Sequence, residues 1–195
     1  MNAAAPLILR AADRVAAPWK NGGGVTREVA VHPPGAGLDD FDWRVSMASV
    51  DPGGPFSSFP GVDRILAVLE GRLALRVDGS APIALRPDSP PYAFAGDIPA
   101  QADLPYGPVA DLNVMTRRGR IGATVERLIV NAPTEVAVAS TAIILTLTGG
   151  VTLTHRRRRH VLCAGDAALF HQASEPARLD PRQPSTLFLI GLISL

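Results

Sequence analysis

The sequence predicts an all-β protein made of two small barrels in one chain. Three observations carry that expectation. Glycine and proline number 18 each, together 36 of 195 residues. That is more than helix interiors tolerate, and it suits many short strands joined by turns. Apolar residues recur with period two in segment after segment, the repeat of a half-buried strand. A strand–glycine turn–strand unit in the first half, AVLEGRLALRV, is echoed in the second by LTLTGGVTLTH.

The first informative stretch is PWKNGGGVTREVAVH, Pro18 to His32. Three glycines beside a lysine invite comparison with a phosphate-binding loop, but the order is reversed. In such a loop the glycines come before Lys and Ser/Thr, and a helix follows. Here Lys20 precedes Gly22, and Val25, Arg27, Val29 and Val31 then alternate with Thr26, Glu28, Ala30 and His32. A glycine turn feeding a strand remains. A plain tight turn and a ligand-side turn both satisfy the residue types.

The other elements follow in order. HPPGAGLDDFD is a loop. WRVSMASV alternates, with Trp43, Val45 and Met47 on one face and Arg44, Ser46 and Ala48 on the other. DPGGPFSSFPGVD is a turn-rich connector. RILAVLEG and RLALRVDG read as a hairpin closed at Glu70-Gly71. PIALRP is a further short strand, and AFAGDIPAQADL contains a Gly-Asp turn. DLNVMTRRGRIGATVERL reads as one strand with a short irregular segment. The second half continues through VAVAS, AIILTLTGG, VTLTHRRRRH, VLCAGDAALFH and TLFLIGLISL, the last reading as a strand buried on both faces.

Composition narrows the class. Hydrophobic residues make up 47% and aromatics 5%, so aliphatic side chains fill the core. A net charge of +1 exerts no general pull toward nucleic acid or acidic membranes. One cysteine, Cys163, excludes an internal disulfide, suits a reducing compartment and reads as a small packed residue. The N-terminal stretch lacks a basic leader, and no apolar run is long enough to span a bilayer. A cytoplasmic protein is expected.

The halves echo each other twice. Gly71 and Gly150 are 79 positions apart. YAFAGDIPAQA resembles LCAGDAALFHQ, with Gly96 and Gly165 69 apart. Two features in the same order imply a duplicated β-barrel. Strand, glycine turn, strand, Gly-Asp turn, strand is the rhythm of a cupin-type jelly roll, the double-stranded β-helix.

The segments WKNGGGVTRE, WRVSMASV, GPFSSFPGVDR, AFAGD and DLNVMTRRG occur in this order. Together they resemble the HutD/Ves family of bacterial bicupins, associated with histidine utilisation and stress responses. The resemblance runs from about Pro18 to Gly119. It implies an RmlC-like jelly roll in two copies, residues 1–120 as a ligand-binding barrel and 121–195 as a degenerate one. It also implies a pocket for a small acidic metabolite in the first barrel, with a formylated glutamate as a sensible ligand.

Many cupins hold a metal through two close histidines, a carboxylate and a third histidine. The four histidines here, His32, His155, His160 and His171, include no His-x-His pair. No metal and no cofactor are expected. Polar groups on apolar strand faces are the better candidates. Arg64 shares a face with Leu66 and Val68, a costly position unless an anion or a hydrogen-bonding set meets it. A salt bridge to Glu28 or Asp111 and a ligand carboxylate are the open alternatives. Asp111, Asn113 and Met115 share another face, and Arg44 and Ser46 a third. Phe56 and Ser57 read as a lid or rim. With Trp19, Lys20, Asn21, Thr26, Arg27 and Glu28 these form the candidate ligand site. The resemblance places Lys20, Asn21, Thr26, Arg64 and Asn113 within its motifs.

Binding is favoured over catalysis, because no Ser-His-acid order is present. The alternative is a metal-independent enzyme acting on a small carboxylate with Glu28 or Asp111 as base. The run HRRRRH reads as a solvated edge or hairpin. Nucleic-acid binding is not expected, since further basic patches and stacking aromatics are lacking. A cupin edge can pair across a two-fold axis, which allows a homodimer.

Overall fold

A computed structural model describes residues 5–19, 22–138 and 140–195. Their regular structure consists of strands and one short 3-10 turn, Ala11–Asp13. The first eleven strands are β1 (Leu7–Leu9), β2 (Ala16–Pro18), β3 (Gly24–His32), β4 (Trp43–Val50), β5 (Gly54–Pro55), β6 (Val62–Glu70), β7 (Leu73–Val77), β8 (Ile83–Leu85), β9 (Tyr92–Ala95), β10 (Ala100–Asp103) and β11 (Val109–Arg117). Then come β12 (Ile121–Val130), β13 (Thr134–Val136), β14 (Ser140–Thr148), β15 (Gly150–His155), β16 (Arg158–Cys163), β17 (Ala167–Ala173), β18 (Ala177–Pro181) and β19 (Ser185–Ser194). No helix among the described residues is long and apolar enough to cross a membrane.

The chain divides into two compact units. The first barrel is Arg14–Gly122 with Leu195. The second is Ala123–Ser194 together with the N-terminal segment ending at Asp13. This differs from a cut at 120/121, because β1 pairs with β17, Leu7 opposite Leu169.

Each unit is a pair of antiparallel sheets. The first has a six-stranded sheet, β2-β3-β4-β11-β6-β9, and a four-stranded sheet, β5-β10-β7-β8. The second has β1-β17-β14-β19-β12 and β13-β18-β15-β16. Adding eight to each label of β9-β6-β11-β4 yields β17-β14-β19-β12, and adding eight to β5-β10-β7-β8 yields β13-β18-β15-β16. The architecture is therefore a duplication, with β2 and β3 extending one copy and β1 the other.

Period-two patterning puts each core between its two sheets. In the first barrel Leu66, Val68 and Phe94 of the large sheet pack with Leu73, Leu75, Leu85, Ala100 and Ala102 of the small one. In the second, Ile144, Ala168, Phe170 and Leu187 meet Val151, Leu153, Leu162 and Leu179.

The Glu70-Gly71 turn does not close a hairpin. β6 pairs with β11 and β9, whereas β7 pairs with β10 and β8. The turn carries the chain from one sheet to the other, as does Gly149 between β14 and β15. Gly71 and Gly149 have φ of 80° and 76°, in the left-handed region. A Cβ at Gly71 would sit 2.6 Å from the Pro108 carbonyl oxygen. Alternation looks the same in paired strands and in strands that face each other across a core, so this distinction was hidden in the sequence. The Gly-Asp echo is also not an equivalence. Gly96-Asp97 links β9 to β10, while Gly165-Asp166 links β16 to β17. After DLNVMTRRG the chain forms a full strand, β12, where an irregular segment was expected.

Gly71→Ala should destabilise the protein by about 2–4 kcal/mol, because a strained φ and a steric clash coincide. Gly79→Ala, with φ 66° but nothing within 4 Å of the new Cβ, should cost about 1 kcal/mol. Urea unfolding of the two variants measures the difference.

Candidate functional site

The central strands of the six-stranded sheet bring most candidate residues onto one face. β11 lies between β4 and β6, and β3 flanks β4. Directly paired residues of an antiparallel ladder project to the same side. Thr26, Ala48, Asp111 and Val68 form one such row. Glu28, Ser46, Asn113 and Leu66 form the next, and Arg44, Met115, Arg64 and Phe94 the third. Because Leu66, Val68 and Phe94 belong to the core, this face is the barrel interior. Arg27 pairs with Met47 on the opposite face and is exposed, so it leaves the site.

Arg64 is the centre of the arrangement. It is only 4% exposed. Its guanidinium carbon lies 4.7 Å from the centre of the Phe56 ring, 5.2 Å from Phe94 and 5.8 Å from Phe59. Three electron-rich faces thus meet one cation. Its Nε donates a long hydrogen bond, 3.4 Å, to Asn113 Oδ1. Among the described residues no carboxylate forms an ion pair with it. Glu28 is held instead by Arg44, at 2.8 Å. Asp111, 2% exposed, lies two rows away and acts on Arg64 through its field.

The electrostatics follow from burial. Desolvation lowers the Arg64 guanidinium to about 10, with Asp111 opposing the change. Desolvation pushes the Asp111 carboxyl up to about 7, with Arg64 opposing it. Each charge thus offsets only part of the cost of burying the other inside an apolar barrel.

The glycine turn stands beside this interior. Trp19, Gly22, Gly23, Val50, Pro52–Phe56 and Ala102 line a cavity of about 180 Å³. Trp19 Nε1 donates to Thr26 Oγ1 at 2.7 Å. A Cβ at Gly24 would meet the Ser49 carbonyl oxygen at 2.7 Å and the Trp19 ring at 3.0 Å, so glycine permits the approach. Phe56 borders the cavity and also packs on Arg64, and Ser57 is exposed at the rim. Lys20 and Asn21 lie outside the described residues. Phe59 and Phe94 were missed in the sequence. The signal available for them was their place in FSSF and AFAGD, beside residues already chosen.

The duplicated barrel supplies an internal control. Aligned on Gly71 and Gly149, Arg64, Leu66 and Val68 of β6 correspond to Ala142, Ile144 and Thr146 of β14. The partners of these residues are Met115, Asn113 and Asp111 in the first barrel but Gly191, Leu189 and Leu187 in the second. The same scaffold therefore closes with Ala142, Gly191, Leu189 and Leu187 where the first barrel keeps Arg64, Met115, Asn113 and Asp111, and its one polar group in these rows is the buried Thr146 hydroxyl opposite Leu187. The fold does not require those groups.

The residues present do not fit a resident metal ion. Among the described residues no three His, Cys, Asp or Glu side chains converge. The interior face offers a buried guanidinium where a cation would need donors. His32 stacks on Trp43 on the opposite face, with ring centres 5.8 Å apart. His171 is exposed. His155 is buried in the second barrel, edge-on to Phe170.

Fold and site together define a bicupin, two double-stranded β-helices in one chain, whose first copy buries Arg64, Asn113 and Asp111 in successive rows of one sheet face. The HutD family model matches residues 11–188. The chain belongs to the HutD family. It is 43% identical over 108 residues to the protein Ves of Citrobacter koseri. It is 41% identical over 109 residues to a 21.2 kDa protein in the hutC 3′ region of Pseudomonas putida. These matches cover 55% of the chain and 56% of each relative, so the chain spans about half the length of the curated relatives it matches. Likeness to solved structures is complete in extent. HutD from Pseudomonas fluorescens SBW25 is 30% identical with a TM-score of 0.82, covering 98% of this chain and 100% of that one. A conserved protein of unknown function from Pseudomonas aeruginosa PAO1 is 33% identical with a TM-score of 0.88, covering 97% and 99%.

Asp111 holds its proton more tightly in the folded chain than in the unfolded one. Its contribution to stability should therefore fall as pH rises from about 4 to about 7, by about 2–4 kcal/mol. Asp111→Asn should remove that decline. His155, whose pKa burial and Arg156 lower, loses stability as pH falls below 6.5 in both proteins, so the difference between them isolates Asp111. Urea unfolding at pH 4.5 and pH 8 measures it, and parallel profiles would contradict a buried carboxyl.

Proposed function

We propose that this protein is a non-metal, small-molecule-binding bicupin that takes an acidic metabolite in its first barrel and modulates histidine catabolism. One observation carries the reading. A buried arginine with no ion-paired carboxylate among the described residues, caged by three phenyl rings, stands where the second barrel has Ala142 opposite Gly191. The guanidinium fork suits a carboxylate bidentately. Asn113, which can donate and accept, adds discrimination beside it. The family and the position of the P. putida relative in a hutC 3′ region support the link to histidine breakdown. N-formylglutamate, with carboxylates for Arg64 and an amide for Asn113, is the ligand we favour. The cytoplasm is the setting this reading implies.

A second reading rests on Asp111, whose carboxyl near 7 is suited to a general base. It requires turnover of a small carboxylate that Asp111→Asn abolishes while binding remains. Glu28 serves it less well, being engaged by Arg44.

Thermal unfolding of wild type and Arg64→Met, with N-formylglutamate, glutamate, urocanate and formate, tests the proposal. A ligand at about a hundred times its Kd should add about 2.7 kcal/mol, roughly 5–10 °C in Tm, to wild type and nothing to the variant. Arg64→Met should itself fold well, since an apolar side chain of similar length replaces a desolvated charge. No shift with any acid in a cooperatively melting wild type would exclude a pocket for these metabolites.

A further inference from the structure

The arginine run is the sequence feature that the carboxylate pocket leaves unused. β15 and β16 join through a two-residue turn, with His155 paired to Arg158. The turn residues are Arg156 and Arg157, with φ of 49° and 62°. Two successive residues at positive φ is the geometry for which hairpins prefer Asn-Gly. Long side chains there are strained. The tip thus carries arginine where local structure favours almost anything smaller.

Three of the four arginine charges also meet no carboxylate among the described residues. Arg156 is tied to Glu175 at 2.9 Å. Arg157, Arg158 and Arg159 are exposed and meet no carboxylate among the described residues. Elsewhere Arg10, Arg76, Arg86, Arg118, Arg120 and Arg178 each have a carboxylate at 2.7–3.3 Å. Nineteen Lys and Arg less the four of the run, Arg156 to Arg159, leave fifteen against eighteen Asp and Glu, so the rest of the chain carries a net charge of −3. A concentrated positive tip on an acidic background fits a short acidic segment. It does not fit nucleic acid, which needs basic surface along its length. Gly150–Cys163 also holds no Phe, Tyr or Trp on which a base could stack.

We propose that the Arg157–Arg159 hairpin tip is a docking point for a carboxylate-rich segment of a partner protein, with arginine forks meeting carboxylates side-on. The test is fluorescence anisotropy of the full chain with a labelled glutamate-rich peptide, its glutamine counterpart and a DNA duplex. The glutamate peptide should bind wild type and the other two should not. Arg159→Glu should weaken that binding roughly tenfold. Arg182→Glu, an exposed arginine at the opposite end of the same sheet, should change it less than about twofold. Arg157→Gly should weaken binding and yet raise Tm, because it relieves the turn. Three results would overturn the proposal: equal binding by Arg159→Glu, a preference for the duplex or the glutamine peptide, or no binding at low salt. A lower Tm for Arg157→Gly would remove the strain on which it rests.

Discussion

A guanidinium inside an apolar barrel must be offset from several directions at once, and the first barrel is arranged around that requirement. The rings of Phe56, Phe59 and Phe94 surround the Arg64 guanidinium. Asn113 accepts from one nitrogen, and Asp111 supplies opposite charge at longer range. Register places Phe94 beside Arg64 and Asn113 and Asp111 in the next two rows, while Phe56 and Phe59 come from the connector before β6. Each is individually modest. Their sum leaves the cation partly satisfied, with no carboxylate in an ion pair beside it among the described residues.

The duplication explains why such an expensive arrangement is tolerable. The sheet-crossing glycine corner, the strand order and the inward leucines recur in both copies, so closure of the barrel rests on features common to both. The second copy fills the matching rows with Ala142, Ile144 and Leu187, with Leu189 packed against them. The first gives up part of that packing to charge. The same architecture thus carries two different balances of apolar and charged interior groups.

Much of this was legible before any coordinates. Alternation assigned the faces of β4, β6 and β11, and Arg44, Ser46, Arg64, Asp111, Asn113 and Met115 do share the interior. The errors have separate causes. Period two records which residues share a side of a strand but not which strand lies beside it. Hence Glu70-Gly71 passed for a hairpin. Arg27 entered the site on its nearness in sequence to Thr26 and Glu28, although alternation sets it on the other side of β3. The Gly-Asp echo matched composition at two places of different topology. The aromatic cage could not be read because Phe56 and Phe59 reach Arg64 from a connector without regular periodicity.

The route of the chain has a consequence for how the two barrels are completed. β1 precedes the first barrel in sequence, but its partner β17 lies beyond the whole of it. All ten strands of the first barrel, β2 to β11, fall between the LIL strand and the strand it pairs with. The large sheet of the second barrel is complete only with β1 on its edge. A cut between residues 122 and 123 would therefore not release two whole halves. It would leave β17 as a bare edge, a template for pairing with neighbouring chains.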